Sequence, residues 1–132
     1  MFGQKKTVPI ESIHVSKNPY PLDDTFIRLY QEYLSGKLPA QFALIVPSGI
    51  RPHSDYVPDL DTAYVAQVQA AYDQNQPPAI TVYPMGDLFV MADDYHLFHT
   101  YRAIEAEAIP CYVLGEARGP HVLYRTDVTP VS

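Results

Sequence analysis

Apolar positions recur along this chain in two periods. Between Asp23 and Ser35, residues Phe26, Ile27, Tyr30, Tyr33 and Leu34 fall at i, i+1, i+4, i+7 and i+8. That stripe predicts an amphipathic helix. Asp23 or Asp24 can cap its start by accepting from free backbone N–H groups, and Gly36 stands where a terminating glycine is expected. Leu60–Gln74 repeats the stripe with Tyr64, Val65, Val68, Ala71 and Tyr72. Asp61 is its candidate cap, and Pro77–Pro78 end it, because proline cannot continue the helical ladder. A third helix is expected over Asp93–Glu105, opened by the acidic pair Asp93–Asp94.

Shorter apolar runs predict strands. Thr7–Val15 carries β-branched residues with partial alternation, and Phe42–Val46 is an unbroken apolar run. Ile80–Tyr83 and Leu88–Met91 read as a hairpin turning over Pro84–Asp87. Ile109–Leu114 and His121–Arg125 read as two further strands. Pro47–Pro58 holds three prolines besides Gly49 and is expected to be a long loop. The order is a mixed one, which predicts an α/β domain of mixed α+β type: a small mixed sheet with about three packed helices.

At 132 residues the chain fits one domain. Its expected parts are an entry strand and helix (7–36), an insertion or loop (37–58), a second helix with the hairpin, third helix and strand (59–114), and a C-terminal extension (115–132). No apolar run approaches the roughly 20 residues that span a bilayer, and no apolar stretch follows Lys5–Lys6 as a secretory signal would require. A cytoplasmic protein without a membrane partner is therefore the expectation. Fifteen acidic residues against nine basic ones make DNA an unlikely partner, because duplex binding depends on neutralising phosphates. The single cysteine, Cys111, sits in an apolar strand and reads as a core residue rather than a nucleophile. Eleven tyrosines with no tryptophan leave tyrosine and phenylalanine to carry all aromatic packing.

Residues 78–114 have a particular construction. A hairpin strand runs straight into a helix N-terminus, and that helix is followed by Ile109–Pro110 and a final strand. This resembles the ParB/sulfiredoxin-like superfamily, in which a strand leads to a short polar box, a helix, an Ile-Pro pair and a strand. The opening Val8–Pro21 also looks like the family's entry strand and turn. Counting back from Ile109–Pro110 puts Asp93-Asp94-Tyr95-His96-Leu97 on the five-residue box. The resemblance implies a nucleotide phosphate held on the helix N-terminus, where unpaired N–H groups and the helix dipole favour an anion. Asp93 and His96 match the family's functional types and would carry catalysis or a metal, with Mg²⁺ and a nucleotide as the possible cofactors.

The box also departs from the family. Asp94 stands at a glycine position and Leu97 at the arginine position. A lost arginine removes a bidentate phosphate partner worth on the order of 1.5–3 kcal/mol. Sulfiredoxin's catalytic cysteine would fall near Tyr95, which has no thiol. Family members active in chromosome segregation carry further DNA-binding and dimerisation regions, and none is expected here.

Asp93, His96 and His99 form a D-x-x-H-x-x-H spacing, which reads either as a divalent-metal or acid–base set or as a capped helix with ordinary histidines. The loop 48–56 gathers Arg51, His53, Ser54, Asp55 and Tyr56, where Arg51 is the candidate replacement for the lost box arginine. The leading expectation is a stand-alone ParB-like domain with a degenerate nucleotide site, binding a small ligand or a protein partner. Its ligand-binding candidates are Asp94, Tyr95, His99, Arg51 and His53. The alternative is a divergent phosphotransferase or nuclease-like enzyme using Asp93 and His96 with a nucleotide and a divalent metal. The oligomeric state is left open.

Overall fold

A computed structural model describes residues 23–128. The entry strand expected over Thr7–Val15 lies outside the described residues. Among the described residues, three α-helices pack on one six-stranded mixed sheet, which is the expected class.

Helix α1 covers Asp24–Leu34, with the Asp23 side chain accepting from Thr25 N–H as its cap. Phe26, Tyr30 and Tyr33 form its buried face, as the stripe predicted. Strand β1 is Ala40–Ile45. Helix α2 spans Thr62–Asp73 behind the Asp61 cap. Strands β3 (Ile80–Met85) and β4 (Leu88–Met91) form the hairpin, α3 follows over Tyr95–Ala103, and β5 is Ile109–Leu114. Strand β6 covers Val122–Asp127.

The stretch expected to be a long loop is a correction. A 3-10 turn at Pro47–Gly49 leads into a short strand, β2 (Ile50–Pro52), which pairs in parallel with β4. Residues 50–52 are therefore part of the sheet, while residues 53–61 carry no helix or strand and form the loop that leads to α2.

The strand order is β2-β4-β3-β5-β1-β6. β1 and β2 are consecutive in sequence, yet three strands separate them. Four flat inter-strand spacings would cover about 19 Å. The five residue steps from Ile45 to Ile50 reach at most about 18 Å when fully extended, and part of that link is a helical turn. The sheet must therefore curl to bring its two sides together. Gly49 shows the closure, since an added Cβ there would run into His121, just ahead of β6.

Cross-strand neighbours share a face, so the register divides the buried residues into two sets. One face carries Ile45, Ile50, Val82, Phe89, Ile109 and Val113, packed with Val68 of α2 and Tyr95, Phe98 and Tyr101 of α3. The other carries Tyr83, Val90 and Leu114 under Phe26, Tyr30 and Tyr33 of α1. These are termed the α3 face and the α1 face below.

Candidate functional site

Strand β4 ends at Met91, and Ala92, Asp93 and Asp94 carry the chain to the head of α3. The order of strand, box, helix, Ile109–Pro110 and strand is the order inferred from the sequence. Asp93 is buried. Asp94 occupies the N-cap position, but its side chain makes no cap hydrogen bond to the helix. Its carboxylate Oδ2 accepts instead from Thr81 N–H at 2.8 Å, at the head of β3. Its charge is felt there: burial first, then Asp94, holds both Tyr64 of α2 and the Cys111 thiol above their ordinary pKa values.

Tyr95 is buried, and its hydroxyl reaches back to the segment after β2. It accepts from Ser54 N–H at 3.0 Å and from Ser54 Oγ at 2.9 Å. The Tyr56 ring packs edge-on against the Tyr95 ring, with centroids 5.6 Å apart. Ser54 and Tyr56 thus close over the first turn of α3 and fasten it at one side chain.

His96 lies half-buried, edge-on to Tyr64 at a centroid distance of 4.9 Å. Leu97 is buried in the core of this face. His99 is bonded to the Tyr56 backbone. Burial first, and then the Arg102 charge, lowers its pKa, with the Tyr56 bond acting the other way. The Nε2 atoms of His96 and His99 are buried and have no hydrogen-bond partner among the described residues. Nor does any group of three or more histidine, cysteine, aspartate or glutamate side chains among the described residues come together to hold a metal ion.

Arg51 and His53 belong elsewhere. Arg51 is in register with Val90, which is in register with Tyr83, so Arg51 stands on the α1 face. His53 alternates with it and meets α1: its Nδ1 lies 3.5 Å from Asp23 Oδ2. Asp23 is buried, caps α1 through Thr25 N–H, and accepts a short hydrogen bond from the Tyr83 hydroxyl. Burial and this bond raise the Tyr83 pKa, with Arg51 opposing from nearby. The expected approach of Arg51 to the box helix is not made, because the sheet stands between them.

The candidate residues therefore form two clusters. Asp94, Tyr95, His96 and His99 gather with Ser54, Tyr56 and Tyr64 on the α3 face. Arg51 and His53 gather with Asp23 and Tyr83 on the α1 face. Sequence reasoning took Asp23 only as a cap and passed over Tyr83, Thr81 and Tyr64 as site residues. The Tyr83–Asp23 and Thr81–Asp94 contacts span 60 and 13 positions, and Tyr64 meets His96 from a different helix, so no local spacing announces them. The alternation of Arg51 and His53 was the one available signal that these two share a face.

No family model matches the sequence, and no curated protein matches it. Among solved structures, sulfiredoxin from Arabidopsis thaliana is similar at 14% identity and a TM-score of 0.47, over 60% of this chain and 85% of that one.

Proposed function

We propose that this is a ParB/sulfiredoxin-like binding domain in which the family's nucleotide site has been turned into internal structure. The observation that carries this reading is the occupation of the head of α3 by the protein's own groups. Asp94 places a carboxylate beside the helix start and spends it on Thr81 N–H. A phosphate arriving there would meet that negative charge at close range. Tyr95 is fastened to Ser54, and Leu97 is in the core where a phosphate-binding arginine would have to reach solvent. The residues left to meet a ligand are the exposed Arg51 and His53, which face away from the box. This arrangement supports recognition of a small molecule or a protein partner without a bound nucleotide.

The test is thermal unfolding with and without ATP, ADP or CTP plus Mg²⁺ at millimolar concentration. The expected result is no change in melting temperature. A nucleotide at about 100 times its dissociation constant would add about 2.7 kcal/mol, a shift of several degrees for a domain of this size. A saturable shift with any of the three would overturn the reading.

A further inference from the structure

Strand β6 is the last of the sheet and, among the described residues, pairs only with β1. Leu123 is 61% exposed and Tyr124 50% exposed, and Arg125 between them and Asp127 is exposed too. Leu123 is the extra residue where the β1–β6 register slips, and Tyr124 and Arg125 then point to opposite faces, so among the described residues neither face of the strand's middle is fully covered. Arg125 donates to Ala117 C=O and Asp127 accepts from Gln41 Nε2, which leaves further guanidinium N–H groups and a second carboxylate oxygen for a partner. The polarity of its backbone follows from one bond. Val128 N–H donates to Ala40 C=O, so Val128 turns its backbone groups toward β1. In an antiparallel ladder that direction alternates. Thr126 and Tyr124 therefore also turn toward β1, and Arg125 and Asp127 present their N–H and C=O groups outward.

We propose that this edge pairs with β6 of a second copy of the chain, antiparallel, about a two-fold axis through Thr126. The register is selected by charge. With the axis on Thr126, Arg125 of each copy lies opposite Asp127 of the other, twice over, and both are outward-turned residues able to exchange backbone hydrogen bonds. Tyr124 then lies opposite Val128, so that an exposed aromatic ring gains an apolar neighbour across the seam. With the axis on Arg125, the two arginines oppose each other. With the axis on Tyr124, Arg125 faces Leu123 and the opposite-charge pair is lost. Charged residues on an edge strand discourage indiscriminate strand addition. Here the same charges favour one self-complementary partner, as a two-fold interface requires. The pairing joins two six-stranded sheets without using either polar cluster, so it is independent of what the domain binds.

Light scattering and sedimentation velocity across a concentration series test this on the full chain. The expected result is a species of twice the chain mass that dissociates on dilution. Arg125→Asp sets aspartates against each other twice and should weaken the dimer about tenfold or more. The exchanged double variant, Arg125→Asp with Asp127→Arg, should restore it. Arg125→Pro removes an outward N–H while sparing the ladder to β1, and should also yield a monomer with an unchanged circular dichroism spectrum. A wild-type monomer up to about millimolar concentration would overturn the proposal. So would Arg125→Asp dimers as tight as wild type, or a folded double variant that stays monomeric.

Discussion

Single side chains on the α3 face do structural work that their types do not announce. Tyr95 reads from the sequence as an aromatic helix residue, yet its hydroxyl is the acceptor for two Ser54 groups. Tyr95→Phe keeps the ring and deletes that acceptor. It should cost about 1–3 kcal/mol, because a part-buried Ser54 N–H loses its partner. Denaturant unfolding would measure the loss, and amide exchange over residues 53–56 should rise with it. A variant as stable and as protected as wild type would mean that Ser54 finds another partner and the fastening is unimportant. Residue identity was legible in the sequence at every such position. What could not be read was direction: Asp94 looks like a cap and instead serves β3, because the free N–H of Thr81 is a partner supplied by a different element.

At the level of elements, periodicity carried most of the reading, and its misses have physical causes. Helices α1 and α2 appear where their stripes and capping aspartates put them, since both act locally, while α3 follows the acidic pair although Asp94 gives it no side-chain cap bond. β2 escaped notice because three residues ending in proline have no pattern of their own, and β4 supplies their pairing. β3 runs through Pro84, where the sequence suggested a turn. That proline lies beyond the part of β3 paired with β5, so its missing N–H interrupts only the outer hairpin. Helix α3 also has a titration to test. His99 has a folded pKa below the ordinary histidine value of 6.5, chiefly through burial. The unfolded chain therefore binds the extra proton more readily, and stability falls as pH drops through about 6.5 toward the folded value. Below both values the penalty is complete, and above about 7 it is absent. His99→Gln should remove this segment of the stability–pH curve in melting experiments between pH 5 and 8. An unchanged curve would assign the dependence to other groups.

For the whole molecule, the two faces of the sheet account for why the candidate site divides. Arg51 was expected to reach the distant box by its loop folding over the helix start, whereas a strand sends neighbouring residues to opposite sides. His53 meets Asp23 on one side while Ser54, the next residue, meets Tyr95 on the other. The curl that allows β2 to reach β4 depends on the close approach of Gly49 to His121. Gly49→Ala should destabilise the domain by about 1–3 kcal/mol, because the new methyl group has to displace His121 and the start of β6. Calorimetry or urea unfolding would detect it, and a neutral result would show that the link yields freely.

That closure also has a kinetic side. β3, β4, α3 and β5 follow one another between residues 80 and 114, so their pairing needs only short loops to form. The link at Val46–Gly49 instead joins β1, next to β5, to β2, next to β4, across the width of that unit. Once either strand docks, the other is held within a few residues of its seat, and the entropy of bringing it there has already been met. The two sides of the sheet should therefore zip together as one late event, with the tie at Gly49 setting the pace.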